Sequence, residues 1–243
     1  MILKAEHISK AYGEKQVLAD ISVCLQEGEL VCLLGVSGVG KTTLFNILSG
    51  LISPDSGKVI LEGMDVTGIS GNISYMLQKD LLLEHKTVLD NVALPLVLSG
   101  MKKGEARKQA AHYFPQFGLE GTEQKYPVQL SGGMRQRAAL LRTYMCGDKV
   151  ALLDEPFSAL DTLTRTAVQE WYLQVMEDIR LSTLFITHDI DEAILLSDRI
   201  YIMSGQPATI TAEIIIQEPK PRDSEFMLSD TFLEYKRHIK SLL

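Results

Sequence analysis

The stretch that decides the fold is residues 29–48, which read ELVCLLGVSGVGKTTLFNIL. Its first part, 29–34, is almost entirely apolar, as expected for a strand that is buried on both faces. A glycine-rich turn follows, and the segment from Lys41 onward has the composition of a helix. A buried strand, a glycine-rich loop and a helix in this order predict the nucleotide-binding unit of an α/β fold.

The loop Gly35–Thr42 has the spacing GxxxxGK(S/T). Glycines let backbone N–H groups approach phosphate oxygens without a clash from a Cβ atom, and the helix directs the positive end of its dipole at the same anion. Lys41 can reach the β- and γ-phosphates of ATP, and the Thr42 hydroxyl is placed to bind Mg²⁺. The expected nucleotide contacts here are Gly35, Ser37, Gly38, Gly40, Lys41, Thr42 and Thr43.

A second apolar strand, predicted at 149–153, ends in two acids, Asp154 and Glu155. Ligands gather at the C-terminal ends of parallel strands, where both acids would lie. Asp154 is placed to hold Mg²⁺, directly or through water. Glu155 is placed to polarise an attacking water as a general base. Such a strand is common by itself, but beside the phosphate loop it indicates nucleotide hydrolysis.

Length and composition narrow the class of protein. The chain has 243 residues and 46% apolar content, enough for one large domain with a core. Because its net charge is −7 and its Lys/Arg groupings are short, we do not expect it to bind nucleic acid. Three cysteines without CxxC or metal-binding spacing fit a reducing cytoplasm. No signal peptide and no run of 18 apolar residues occur, so partners would provide any membrane contact.

Hydrophobic periodicity gives a coarse map of the remaining elements. Residues 2–8 and 17–26 alternate apolar and polar side chains, as half-buried strands do. One face of the second strand is expected to carry Val17, Ala19, Ile21, Val23 and Leu25. The other predicted strands are 57–62, 73–77, 183–187, 198–203 and 208–216, and the predicted helices are 87–99, 103–117, 132–146, 161–179 and 189–197.

This pattern predicts one α/β domain over residues 1–243, with a P-loop NTPase core. The core would comprise about 1–78 and 148–216 and would include an N-terminal antiparallel β subdomain. Residues 79–147 read as an inserted helical subdomain, because helical patterns occur there without a good strand between them. Residues 217–243 form a polar tail to which we assign no role.

Residues 130–137, LSGGMRQR, resemble the signature motif of ABC ATPases, which is usually LSGGQ followed by basic residues. A Ser hydroxyl and a Gly-Gly turn that opens a helix form a second anion-binding device. One phosphate chain needs only one such device. The resemblance implies that Ser131, Gly132 and Gly133 of one subunit close on the ATP held by another. Met134 stands where the family usually has Gln, but this position is not expected to touch phosphate.

The same resemblance implies roles for four further positions. Tyr12, the aromatic residue before the first core strand, would stack on adenine. Gln78, at the end of the strand 73–77, is at the position of the family's Q-loop, where it would contact Mg²⁺ or the attacking water. The segment 158–161 resembles the D-loop, so Asp161 would lie at the dimer interface. His188 follows the strand 183–187 as the family's switch histidine does, and it would contact the γ-phosphate. The predicted catalytic residues are thus Glu155, His188 and Gln78, and the predicted metal ligands are Thr42, Gln78 and Asp154.

A finer resemblance lies in LSGGMRQR, LDEPFSALD, THDIDEAILLSDRIYIMS and the tail motif PKPRD, which look like the ATPases of nitrate/sulfonate/taurine-type importers. It implies an ATPase subunit that forms a head-to-tail, ATP-sandwiched homodimer on integral membrane permease subunits. A solute-binding protein would act indirectly with it. The subunit would be peripheral, at the cytoplasmic face of the cell membrane. Leu81–Leu83 could belong either to a docking surface or to the core.

Three alternative functions use the same motifs. An exporter or lipid-extracting complex shares the chemistry and differs only in its partner surface. A soluble ABC ATPase would act on DNA or on ribosomes. Those that act on DNA insert long coiled coils between the two motifs, whereas only 112 residues separate Lys41 from Asp154 here. Those that act in translation usually carry two ATPase domains in one chain, whereas one is expected here. A binding module without catalysis would not need Glu155 together with His188.

Overall fold

Two β-sheets form the framework of the molecule. The structure is a computed structural model, and it describes residues 1–158 and 160–243. The strands, in chain order, are β1 (Leu3–Tyr12), β2 (Lys15–Leu25), β3 (Leu30–Leu34), β4 (Ser56–Leu61), β5 (Met64–Asp65), β6 (Ser74–Met76), β7 (Val150–Asp154), β8 (Ser182–Thr187), β9 (Arg199–Ser204) and β10 (Thr209–Ile215). The helices are α1 (Lys41–Leu48), α2 (Val88–Val92), α3 (Leu94–Leu98), α4 (Lys103–His112), α5 (Gly132–Tyr144), α6 (Thr162–Ile179), α7 (Ile190–Leu196), α8 (Ser224–Met227) and α9 (Asp230–Leu242).

The larger sheet has the strand order β10-β9-β3-β8-β7-β6. All neighbours in it pair in parallel except β10, which runs antiparallel to β9 at the edge. The strands β3, β7 and β8 are buried along their whole length, and the nearly continuous apolar sequences of β3 and β7 predict this burial. Because these three strands are parallel, the loops that follow them emerge at the same edge of the sheet.

The smaller sheet, in the order β2-β1-β4-β5, is antiparallel and forms the expected N-terminal β subdomain. The predicted face of β2 is wrong at its start, because Leu18 is fully buried whereas Val17 and Ala19 are only half-buried. A β-bulge explains the difference. Three steps along β2, from Leu18 to Ile21, oppose two steps along β1, from Lys10 to Ile8, and Asp20 adopts φ 52°.

Helices α2 to α5 occupy the chain between β6 and β7, and the predicted insertion of a helical subdomain is confirmed in this sense. The exact bounds, 79–147, stay a prediction. The predicted helix 87–99 is two short helices, because Pro95 lies in the first turn of α3 and cannot donate a backbone hydrogen bond. The helix predicted at 103–117 ends at His112. Among the described residues, no helix has both the length and the apolar content needed to cross a membrane.

Two apolar clusters lie on opposite faces of the larger sheet. Along β3, Cys32 and Leu34 belong to the cluster beneath the helices, whereas Val31 and Leu33 belong to the cluster between the sheets. This alternation follows from the two-residue period of a strand. Both faces of β3 are therefore fixed by packing, which places the phosphate loop that follows it.

Candidate active site

The phosphate loop connects β3 to α1. Gly40 precedes the helix with φ 117°, and a Cβ atom at this position would lie 2.9 Å from Leu18 Cδ2, so the position requires glycine. Lys41 begins the helix with only 5% of its surface exposed. Its Nζ donates hydrogen bonds to the carbonyl oxygens of Gly35 at 2.7 Å and Val36 at 3.0 Å. The loop therefore folds around its own lysine.

The carboxylates of Asp154 and Glu155 lie near the positive charge of Lys41 and offset it. Burial lowers the pKa of Lys41, and the carboxylates of Glu155 and Asp154 act in the opposite direction. Asp154 ends β7 inside the site, where burial and the neighbouring Glu155 raise its pKa. Its Oδ2 accepts a hydrogen bond from Thr42 Oγ1 at 3.0 Å and from the Tyr75 hydroxyl at 3.4 Å. A hydroxyl and a carboxylate oxygen thus lie together beside the phosphate loop.

Glu155 holds the other two predicted catalytic residues. Gln78 Nε2 donates to Glu155 Oε2 at 3.1 Å, and His188 Nδ1 lies 3.2 Å from Oε1 of the same carboxylate. The backbone of Glu155 is left-handed, with φ 46°, so the chain leaves the extended conformation of β7 at this residue. One carboxylate therefore brings together the ends of β6, β7 and β8.

These groups line a cleft of about 490 Å³. Its lining comprises Val17, Ser37, Gly38, Gly40, Lys41, Thr42, Thr43, Gln78, Asp154, Glu155, Ile186 and His188. Sequence reasoning did not single out Val17, Ile186 or Tyr75. The contribution of Val17 depends on the bulge in β2, which hydrophobic periodicity does not show.

The remaining predicted residues lie elsewhere. Tyr12 ends β1 with 52% of its surface exposed, and the Lys10 ammonium lies 5.9 Å from its ring centroid. Ser131 caps α5 by accepting a hydrogen bond from the Met134 N–H at 3.3 Å, and Asp161 caps α6 in the same way. In the part of the chain that the structure describes, Tyr12, Ser131, Gly132, Gly133 and Asp161 do not line the cleft beside Lys41. Ala159, in the D-loop segment, lies outside the described residues.

A second cleft, of about 770 Å³, lies between the core and the helical region and shares Gln78, Glu155 and His188 with the first. Gly132 and the segment from Gln78 to Leu82 also line it. Leu81 is exposed with φ 45°, whereas Leu82 is buried in the core cluster. The leucine run is thus divided between a surface and a core role.

The sequence of this chain is similar to the sequences of several known proteins. The sequence profile of the ABC transporter family matches residues 18–158. The formylaminopyrimidine import ATP-binding protein ThiZ of Halalkalibacterium halodurans is 45% identical over 85% of this chain and 81% of its own length. The nitrate import ATP-binding protein NrtD of Synechocystis sp. is 37% identical over 95% of this chain and 89% of its own length.

A solved structure is similar over nearly the whole fold. It is the dimeric structure of a post-hydrolysis state of the ATP-binding cassette MJ0796 bound to ADP and Pi. Its TM-score is 0.76 at 28% identity, and the match covers 90% of this chain and 100% of that chain. Because the family profile spans more than half of the chain and ThiZ is 45% identical across most of it, the chain belongs to the ABC transporter family and is an import-type ATP-binding subunit whose ATPase activity is coupled to transport.

Proposed function

We propose that two copies of this chain bind ATP between them, hydrolyse it with Glu155 as the general base, and thereby drive import of a small solute through a membrane permease. One observation carries the catalytic part of this proposal. The Glu155 carboxylate binds Gln78 and lies 3.2 Å from His188, beside the phosphate loop. This arrangement supports an attacking water at Glu155, because a general base must lie within hydrogen-bond reach of the proton that it accepts.

Binding of the nucleotide is assigned to the phosphate loop. Gly35, Ser37, Gly38, Gly40, Lys41, Thr42 and Thr43 would supply backbone N–H groups, hydroxyls and the buried ammonium. The donor set beside them fits Mg²⁺, because Thr42 Oγ1 and Asp154 Oδ2 lie 3.0 Å apart and oxygen ligands are those that Mg²⁺ prefers. The amide oxygen of Gln78 would complete the protein's part of this set. When bound, the ion neutralises phosphate charge.

Catalysis is assigned to the three residues at the strand ends. Glu155 would accept the proton of the attacking water, while Gln78 orients the carboxylate by donating to Oε2. His188 contacts Glu155 through Nδ1, so its Nε2 is left to contact the γ-phosphate oxygens. Lys41 would stabilise the charge that develops on the phosphates.

A head-to-tail homodimer would complete the site. Ser131 and Gly133 do not line the cleft beside Lys41 in the described part of the chain, so one copy offers two separate anion-binding devices. The dimeric cassette bound to ADP and Pi supports this arrangement. We propose that Ser131, Gly132 and Gly133 of each copy bind the ATP of the other. Tyr12 would stack on adenine, and Asp161 would lie at the interface.

Partners and location follow from the same proposal. The chain would sit at the cytoplasmic face of the cell membrane, as a peripheral subunit on integral permease subunits that work with a solute-binding protein. No role in nucleic-acid binding is proposed, since the net charge is −7. The two relatives described above are named for nitrate and for formylaminopyrimidine, which differ chemically, so solute choice is assigned to the partner subunits.

A pull-down from detergent-solubilised host membranes tests this proposal. Tagged Glu155→Gln protein, with ATP and Mg²⁺, is expected to recover a multi-span membrane protein. The matched control is the double variant Glu155→Gln/Lys41→Ala, which should lose any recovery that depends on ATP. Recovery of only ribosomes, DNA or non-membrane proteins, from membranes shown to be intact before they are solubilised, would contradict the transport role and leave the ATPase chemistry standing.

A further inference from the structure

The helix α7 begins two residues after His188, so its first turn sets the path of the chain at that histidine. Asp189 caps this turn, because its Oδ1 accepts hydrogen bonds from the N–H groups of Asp191 at 2.9 Å and Glu192 at 3.2 Å. The Asp189 N–H in turn donates to Thr187 Oγ1 at 3.0 Å. Any group that holds the first turn of α7 therefore also holds the segment that carries His188.

The tail, residues 217–243, contacts both ends of α7. At the first turn, Lys236 Nζ donates to Asp191 Oδ2 at 2.8 Å. At the other end, the buried Arg222 Nη1 donates to the carbonyl oxygens of Ile194 at 2.8 Å and Ser197 at 2.7 Å. Helix ends leave backbone carbonyls without intrahelical partners, and Arg222 supplies donors for them here. The tail therefore holds α7 by side-chain contacts at both of its ends.

Separate contacts keep the tail in place. Phe232 and Ile239 of α9 are buried in the same apolar cluster as Ile194 and Leu196 of α7. Burial of two such side chains contributes far more than one partly exposed ion pair. Removing the charge of Lys236 should therefore loosen the first turn of α7 while the tail stays docked.

We propose that the tail positions the switch histidine and that Lys236 is a positioning residue, acting on His188 through Asp191 and the first turn of α7. This inference rests on the proposed role of His188 in hydrolysis. About a third of each side chain of the Lys236–Asp191 pair is exposed, so its effect should be modest. We expect loss of the pair to lower kcat about two- to fivefold, with the KM for ATP unchanged, because the phosphate loop is not touched.

The test compares Lys236→Met with Lys240→Met in the full-length chain, by ATP hydrolysis and by hydrogen exchange. Lys240 is an exposed lysine on the same helix, so the two variants lose the same charge. Only Lys236→Met should lower kcat and speed amide exchange in residues 187–196. Equal behaviour of the two variants, in kcat or in exchange, would overturn the proposal.

A His188→Ala background separates positioning from general destabilisation. Single-turnover hydrolysis, with the chain in excess over ATP, measures the slow reaction of this variant. There, Lys236→Met should cause no further loss if it acts through His188. The same fold loss in both backgrounds would overturn the positioning role. Wild-type hydrolysis by His188→Ala alone would instead contradict the proposed function of the histidine.

Discussion

The Glu155 side chain is mostly buried, and its two carboxylate oxygens face two different partners, Gln78 and His188. Replacement by Gln keeps the size of the side chain and removes the charge that would accept a proton. We expect Glu155→Gln to slow hydrolysis by about 10²–10⁴, the usual contribution of a positioned base, while ATP affinity is kept. Phosphate release and binding of a fluorescent ATP analogue measure the two effects. Glu120→Gln, at an exposed position, is the control, and normal turnover by Glu155→Gln would refute the assignment.

Replacement of Lys41 is expected to weaken ATP binding, whereas replacement of Glu155 is expected to slow hydrolysis and keep the affinity for ATP. The buried ammonium of Lys41 is the positive charge nearest the phosphate loop, and charge-assisted hydrogen bonds of this kind are each worth about 1.5–3 kcal/mol. We expect Lys41→Ala to weaken ATP binding at least about tenfold, as measured by titration calorimetry. Lys79→Ala removes an exposed lysine close to the site and should bind normally. Unchanged affinity in Lys41→Ala would rule out the role.

Glu192 should make stability depend on pH. It is buried in the first turn of α7, where its carboxylate accepts a hydrogen bond from Gln169 Nε2 at 2.9 Å, and burial raises its pKa from 4.5 to about 7. Between these values the folded protein keeps a proton that the unfolded chain has released. The contribution of Glu192 to the free energy of unfolding therefore falls as the pH rises through this window, by about 3 kcal/mol in all.

Glu192→Gln removes this titration. Its free energy of unfolding, relative to the unsubstituted chain, is expected to rise between pH 5 and pH 8. Urea denaturation at the two pH values measures the change, and Glu120→Gln serves as the exposed control. A difference that is the same at both pH values would show that Glu192 does not titrate in this window.

Elements were easier to predict than their details. The order of strands and helices follows from hydrophobic period, which depends only on neighbours in the sequence. The bulge in β2 depends on how that strand pairs with β1, and so its face was wrong at Val17 and Ala19. The two-residue strand β5 is too short to show a period. The break before α3 had a visible signal in Pro95.

One buried amide joins the helical region to the loop that follows Gln78. Asn91, on α2, is fully buried. Its Oδ1 accepts from the Leu83 N–H at 2.6 Å, and its Nδ2 donates to the carbonyl oxygens of Leu83 at 3.1 Å and Thr87 at 3.0 Å. We expect Asn91→Leu to lower the free energy of unfolding by about 2–4 kcal/mol, since it leaves these backbone groups buried without partners. Urea denaturation checks this, with Asn72→Leu as control, because Asn72 is only half-buried in a loop and its amide donates to the Ile69 carbonyl oxygen at 3.3 Å. Equal stability of the two variants would contradict it.

At the scale of the whole molecule, the phosphate loop with Lys41 lines one cleft, whereas Gly132 of the signature segment lines another. ATP should therefore drive association when hydrolysis is blocked. We expect Glu155→Gln with ATP to elute at twice the 27.0 kDa mass of the chain, as measured by light scattering after gel filtration. The added variant Ser131→Arg should keep it at the mass of one chain. A single-chain mass for Glu155→Gln at saturating ATP would contradict the ATP-sandwiched dimer.

The site was largely predictable because its motifs lie at the ends of parallel strands. Lys41, Asp154, Glu155 and His188 are far apart in the sequence, yet the order of β3, β7 and β8 in one sheet brings them to one edge. The contacts between the tail and α7 could not be predicted, because each joins residues of two different elements that are distant in the sequence. The polar composition of the tail gave no indication that Arg222 is buried.

The left-handed backbone of Glu155 has a consequence for directed evolution of this protein. A non-glycine residue in this conformation stores about 1–2 kcal/mol of strain, so the chain is less stable than it would be with Gly or Asn at the same position. A library selected only for heat resistance should therefore drift toward those residues and lose turnover. Selection for thermostability and selection for catalysis therefore favour different residues at position 155.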